Sequence, residues 1–491
     1  MRDWLIHIKR GEYASLQTQI REALVSAILD RQLDQQEPIP STRKMAKSLG
    51  VSRNTVVLAY QGLLDDGYLL AKQRSGYFVS DKALEDHMPK ARKAASPEKP
   101  KGTGLNWERL VNKHPSHQPN TVKVRNWQDF AYPFIYGQVD HTLFPLAEWR
   151  DCTRQALGKK WLGDWTNDFT NEDDPLLVEQ IRRRILPRRG IMAHDDEILV
   201  TLGAQNAIYL ITSLLVNQDT RVVMEEPGYP DMRNIFQLRS QNVGLAPVDQ
   251  SGLMLGPELD NAQIVYTTPS HQFPTTVTMP LERRMALLKK ASEKNFIVVE
   301  DDYEFETNYV NEPCPALKSL DDDGRVIYVG SLSKTLFPGL RLGFMVAPKA
   351  LIAEARALRR LMVRHAPSNN QRTAALFLSL GHHDALIRKL HKAYRTRWEI
   401  MGAALSKHLP SSARNPSFGG TSYWVKGPAK LDADALSQAA TAKGVLINPG
   451  RICFGAAQAP RNYFRLAFSS IDEKKIEPGI KLLSELIKQP S

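Results

Sequence analysis

A short stretch past the middle of the chain has the side chains for amine chemistry. Ser331-Leu332-Ser333-Lys334 closes the apolar run Val326–Gly330, and Arg341 stands seven residues after the lysine. A lysine amine can form a Schiff base. Two hydroxyls and a guanidinium can hold a phosphate dianion, which arginine matches bidentately. Upstream, Phe296-Ile-Val-Val-Glu-Asp301-Asp302-Tyr303 carries a second apolar run into acids. A carboxylate there can keep a pyridine nitrogen protonated, as an electron sink requires. Each piece alone is weak, since most lysines are solvated surface charges and acids at strand ends often cap turns.

These residues need a scaffold, and the pattern around them supplies one. After about residue 125, short apolar runs end in polar clusters: Glu197–Thr201, Arg221–Met224, Ile264–Thr267, Phe296–Glu300 and Val326–Gly330. Helical patterns separate them, which predicts an α/β fold with a mainly parallel sheet covered by helices. Ligand sites of such folds lie at the strand ends, where Asp301 and Lys334 fall.

Residues 12–80 have a different texture. Leu16, Ile20, Leu24 and Ile28 mark an amphipathic helix. Ser41 can cap a second helix that Gly50 stops, and Ser52 can cap a third that Gly67 ends. Tyr68–Val79 alternates as a hairpin would. Two helices around a glycine turn have helix-turn-helix spacing. The third helix opens Ser52-Arg53-Asn54-Thr55, residue types that suit base edges in a major groove, and Arg43 can reach a phosphate or a base. A plain three-helix packing module with surface arginines is the alternative reading of the same spacing. Between the two halves, residues 81–125 are rich in Lys, Pro and Gly without apolar periodicity, and read as a flexible basic linker.

Composition narrows the class. The 491 residues are 42% apolar and 24% charged, a globular balance. No apolar stretch approaches the ~20 residues of a membrane span, and Asp3 with no apolar core behind it argues against a signal peptide. Cys152, Cys314 and Cys453 are too far apart for a disulfide framework or a metal site, so no metal and a reducing cytoplasm are expected. The net charge is +12, and residues 1–125 hold +8 of it, which favours a polyanionic partner.

Pro40-Ser-Thr-Arg43, Leu49-Gly-Val-Ser-Arg-Asn-Thr-Val56, Ala59-Tyr60 and Asp66-Gly-Tyr-Leu69 resemble the winged-helix domain of the GntR family. The resemblance implies contacts to DNA from Arg43, Ser52, Arg53, Asn54, Thr55 and the wing glycine Gly76, with Arg74 where the family often has a glycine. The second half resembles the fold-type I pyridoxal-phosphate enzymes of the aminotransferase superfamily. That likeness implies Lys334 as the lysine bonded to pyridoxal 5'-phosphate, Asp301 as the pyridinium partner and Tyr303 as donor to the phenolic oxygen. Gly203-Ala204-Gln205 matches the phosphate-cradling turn, helped by Ser331, Ser333 and Arg341, and Tyr229 of Pro227-Gly-Tyr the stacking ring. Arg465 matches the arginine that grips a substrate carboxylate.

The order of the halves resembles the MocR (GabR-like) regulators. Further marks are Tyr136-Gly-Gln-Val-Asp140, Phe144-Pro145, Trp149, Arg189-Gly-Ile191 and Thr268-Pro-Ser-His-Gln-Phe-Pro-Thr275. Two departures, Asp173-Asp-Pro-Leu-Leu-Val-Glu-Gln-Ile181 and Thr276 in place of a glycine, are expected at the cofactor-site rim. The resemblance implies a winged helix (12–80), a linker (81–125) and an effector domain (126–491) in a domain-swapped homodimer. The function it implies is a bacterial regulator that binds promoter double-stranded DNA and senses a small amine or amino acid through an external aldimine. A true aminotransferase with an accessory DNA-binding domain has the same parts, and a dead scaffold would not keep Lys334, Asp301, Tyr303 and Arg341 together. Taurine, γ-aminobutyrate and ectoine-derived diaminobutyrates suit the pocket equally.

Overall fold

The structure, a computed structural model, describes Ile8 and residues 14–73, 75–80, 105–121, 124–135, 139–168, 172–410, 412 and 418–488. Contacts divide the chain into two compact units, Met1–Val111 and Asn112–Ser491.

The first unit is built from serine-capped helices. Ser15 caps α1 (Leu16–Leu29), which buries Ile20, Leu24, Ala27 and Ile28. Ser41 accepts from the Lys44 N–H to start α2 (Thr42–Leu49), and Gly50 ends it at φ +63°, a left-handed turn that glycine takes without strain. Ser52 accepts from the Thr55 N–H at 3.1 Å to start α3 (Arg53–Asp65). The hairpin follows as β1 (Leu69–Lys72) and β2 (Gly76–Val79). Tyr60 of α3 ties it in, donating to the Pro40 carbonyl at 2.8 Å and packing edge-on against Tyr77. Three helices and a hairpin around one apolar core make a winged helix-turn-helix. Arg74, at the wing, lies outside the described residues.

The second unit centres on an eight-stranded sheet. In chain order its strands are β3 (Ile198–Thr201), β4 (Val222–Glu226), β5 (Val243–Asp249), β6 (Gly252–Leu253), β7 (Ile264–Thr267), β8 (Ile297–Asp302), β9 (Val326–Ser331) and β10 (Gly343–Val346). Their spatial order is β3-β10-β9-β8-β7-β4-β5-β6, and only β10 and β6 run against the rest. The central strands are buried on both faces, as parallel strands are. Val299 and Val329 pack toward α4 (Ala204–Leu215), while Val298 and Val326 pack on the opposite face toward α6 (Leu281–Lys294), α5 being Pro230–Gln237. The expected mainly parallel sheet is present; β4 and β8 run two residues beyond the expected runs, into their acids.

A second, three-stranded antiparallel sheet has β13 (Tyr463–Ala467) between β11 (Ser422–Lys426) and β12 (Asn448–Pro449). It shares a core with the helices His382–His408 and Glu473–Lys488.

The expected linker does not extend to residue 125. Residues 112–121 belong to the larger unit, where Asn234 donates to the Pro119 carbonyl and Gln118 donates to the Asn234 carbonyl. Residues 81–104, 122 and 123 of that linker, and Tyr136-Gly-Gln138 of the family marks, lie outside the described residues. Among the described residues, no helix is long and apolar enough to cross a membrane.

Candidate functional site

Parallel pairing brings the carboxyl ends of β7, β8 and β9 side by side, with Asp301 opposite Val329 and Gly330 opposite Asp302. The turn from β3 into α4 lies next to them because β10 bridges β9 to β3. A cavity opens there, lined by Gly203, Ala204, Gln205, Tyr229, Asp301, Tyr303, Ser331, Ser333, Lys334 and Arg341. Every cofactor-side residue expected from the sequence is therefore in one place. Met232, Tyr266, Thr268 and Phe273 line it as well.

Strand alternation sorts the acids of β8. Asp301 faces the cavity, where Tyr266 donates to its Oδ2 at 2.7 Å. Its other oxygen, Oδ1, is buried and has no hydrogen-bond partner among the described residues. Burial pushes its pKa up to about 7; the Tyr266 hydrogen bond and Lys334 oppose, while Asp302 and Glu225 add to the rise. Glu300 and Asp302 face the other way. Arg189 donates from Nε to Asp302 at 2.7 Å, and Tyr328 donates to it at 2.9 Å. Burial acts upward on Asp302 most strongly of all, but the Arg189 charge and the hydrogen bonds from Ser270, Arg189 and Tyr328 together outweigh it and hold the carboxyl below its ordinary value. Glu300 accepts from the N–H groups of Leu317 and Lys318, with Arg284 at 3.6 Å.

One end of the cavity is built for an anion. Gly203 has φ +95° and precedes α4 with no side-chain cap, so the first N–H groups of the helix face outward. A Cβ on Gly203 would stand 3.1 Å from the Arg341 guanidinium, and one on Gly343 would meet the Gly203 backbone at 2.7 Å. Only glycines allow this approach. Arg341 is held by the Leu202 carbonyl, and Ser331 Oγ accepts from the Ser333 N–H at 3.2 Å.

Aromatic rings make the walls. Tyr229 packs on Phe273 with centroids 4.8 Å apart, and the Lys334 amine stands 5.7 Å from the Tyr303 ring centroid. Burial pushes the Tyr303 phenol well above its ordinary pKa; Glu304 adds and Arg465 opposes. Arg465, on β13, lies behind the lining. Its guanidinium sits 4.4 Å over the Phe273 ring, and its Nε donates to Ser422 at 2.7 Å. Arg465 thus stands against Phe273 and beside Tyr303, two residues of the lining.

Buried Glu225 accepts from both the hydroxyl and N–H of Thr268 and from the Thr267 hydroxyl, fixing the loop that delivers Phe273. Glu226 accepts from the N–H groups of Gly455 and Ala456, and the Gly228 N–H donates to the Cys453 carbonyl at 2.9 Å. The two departures do not line the cavity. Asp173 is buried against Arg356 and Arg359, and Asp174 against Arg372. Thr276 is buried with φ +64°, the left-handed region that disfavours a β-branched residue.

In the first unit, Arg43, Ser52, Arg53, Asn54 and Gly76 are exposed and Thr55 is half-buried. The Ser52 and Thr55 side chains are 2.8 Å apart and engaged in the cap. Sequence reasoning missed Tyr266, which hides in an apolar strand, and gave Phe273 no role although it stands in the quoted Thr268–Thr275 segment.

Comparison with known proteins agrees with both halves. Residues 16–79 match the bacterial regulatory proteins of the gntR family, and residues 154–483 match aminotransferase class I and II. The HTH-type transcriptional regulator TauR of Rhodobacter capsulatus is 44% identical, over 97% of this chain and 98% of its own length. The probable rhizopine catabolism regulatory protein MocR of Rhizobium meliloti is 29% identical over 98% of this chain and 95% of its own. The kynurenine aminotransferase of Pyrococcus horikoshii, solved in complex with PMP, covers 78% of this chain and 98% of its own at a TM-score of 0.71 and 30% identity. The chain therefore belongs to the MocR/GabR-like transcriptional regulators of the GntR family, in which a winged helix-turn-helix is joined to a class I and II aminotransferase domain.

Proposed function

We propose that this regulator binds pyridoxal 5'-phosphate at Lys334, senses a small amine or amino acid there, and binds promoter double-stranded DNA through α2, α3 and the wing. The observation that carries the reading is the buried, half-satisfied Asp301 facing Lys334 across a cavity that ends in an anion cradle. The donor set fits the cofactor. Asp301 Oδ1 lacks a partner that a protonated ring nitrogen supplies, and the Gly203 turn leaves room that a side chain would fill.

Bound there, the cofactor supplies an aldehyde that condenses reversibly with primary amines. Lys334 would contribute the resident amine, the group for which an effector's amine would exchange. Asp301 holds the ring-nitrogen proton, and its environment suits it to the task by disfavouring a bare carboxylate. Gly203, Ala204, Gln205, Ser331, Ser333 and Arg341 hold the phosphate, Tyr229 covers the ring face and Tyr303 donates to the phenolic oxygen. Arg465, stacked on Phe273 beside Tyr303, holds an acidic group of the effector. Arg43, Arg53 and Asn54 read or grip the DNA, with Ser52 and Thr55 setting the helix start and Gly76 the wing. A domain-swapped homodimer working in the cytoplasm completes the reading.

The test is borohydride reduction of the purified protein, followed by peptide mapping. The reduced adduct is expected on Lys334, and Lys334→Ala should lose it while retaining some cofactor through Arg341 and the serines. An adduct on another lysine would overturn the assignment. An amine screen read by visible absorption, with promoter binding measured in parallel, then separates a sensor from an aminotransferase. Sustained turnover with promoter occupancy indifferent to the substrates would favour the enzyme, whose cavity residues are the same.

A further inference from the structure

The outward face of α3 carries a feature that a solvated helix lacks. Its inward residues are Val56, Ala59, Tyr60 and Leu63. Facing out are Arg53, Asn54 and Gln61, but also Val57 and Leu58, 37% and 47% exposed. The neighbouring α2 keeps the ordinary rule, with Arg43, Lys44, Lys47 and Ser48 outside and Met45 and Ala46 inside. Two helices of one small core thus differ on their outer faces, and the apolar one is the helix whose first turn presents Arg53 and Asn54.

We propose that Val57 is a base-reading residue that recognises the C5 methyl of a thymine in the major groove. The inference rests on the reading of α3 as the DNA-contacting helix. Val57 lies four residues after Arg53, one turn along the same side, so it stands about 6 Å farther along the helix axis. That is just under two base-pair steps of about 3.4 Å each. The thymine methyl is the apolar group that major-groove base edges offer, and a valine is held near one side-chain rotamer in a helix, so little freedom is lost on contact. Charge selects the same occupant. The patch is flanked by Arg53 and Asn54 on its own helix, and α2 adds the exposed Arg43, Lys44 and Lys47. Two adjacent side chains make a small patch, a poor fit to a protein interface and a good one to a pair of methyl groups.

The experiment uses the full-length, cofactor-loaded protein. A duplex is first selected from a random pool, and Arg53→Ala locates the base pair that Arg53 serves. Each nearby thymine is then replaced by deoxyuridine, which removes only the methyl. At one thymine about two steps from that pair, wild type should bind roughly three- to tenfold more weakly after the replacement. Val57→Ala should show the same loss on the unmodified duplex and no further loss on the deoxyuridine duplex. Val57→Thr, which keeps the shape and one methyl, should fall between and guards against a folding defect, with melting temperature as the control. Additive losses, an equal weakening on all duplexes, or a selected site without that thymine would each overturn the proposal. Salt-driven binding with no selected sequence would instead remove the DNA reading itself, and this inference with it.

Discussion

Asp301 and Arg53 are both ionisable, and both sit at the end of a regular element, yet the fold treats them differently. Asp301 is buried on β8 beside β7, with Asp302 and Glu225 near and one oxygen without a hydrogen-bond partner among the described residues. Arg53 stands in water on the first turn of α3. The cavity holds its polar groups in place before any ligand arrives, so their energies are part of the stability of the domain. The α3 face is solvated, and its energies come into being only on contact. A substitution in the first region should therefore register in unfolding, and one in the second in binding alone.

The largest effect should come from the support beneath the cavity. Arg189→Ala leaves the buried Asp302 carboxylate without its cation and should cost about 3–5 kcal/mol in denaturant unfolding of the larger unit. A loss under about 1 kcal/mol would mean that Tyr328 and water satisfy the carboxylate, and the contrast would weaken.

The second test is pH. In cofactor-free protein the native Asp301 pKa is about 7, against 3.8 when unfolded. The native state then holds a proton that the unfolded state releases, so the contribution of this group is fully present below the unfolded value. It is lost as pH rises through about 7. Asp301→Asn does not titrate. Its melting temperature relative to wild type should climb from acid to neutral pH and level off above; a flat difference would place Asp301 in an ordinary environment.

Arg53→Ala should cost about 1–3 kcal/mol in promoter binding if its base contact is bidentate, and relax specificity at one position. Its melting temperature should equal that of wild type. The smallest effect is expected at Thr276→Gly. Relief of the left-handed strain and the added freedom of the unfolded glycine oppose each other, so the net should stay within about 1 kcal/mol although the residue is buried. A loss of about 2 kcal/mol or more would show that packing dominates there.

Much of this contrast was legible from residue types. Lys334, Asp301 and Arg341 stand where an α/β pattern puts its strand ends, and serine caps marked α2 and α3 because a cap is a local interaction. Tyr266 was not legible, since its hydroxyl reaches Asp301 only through the pairing of strands far apart in sequence. Asp173 and Asp174 are expected at the rim on the family resemblance alone, whereas arginines from later helices neutralise them inside. The linker was drawn too long for a related reason. Gln118 and Pro119 are fastened through polar and backbone bonds to Asn234, and a hydrophobic pattern cannot register such an attachment.

The Glu226 carboxylate and the Gly228 amide, both just before Tyr229, bind the loop of Cys453, Gly455 and Ala456. The same loop leads into the strand of Arg465. The two segments are therefore a linkage in the mechanical sense. An outward movement of the Arg465 strand would load the bonds that fasten its leading loop to the Tyr229 turn, so the two would move together until those bonds broke.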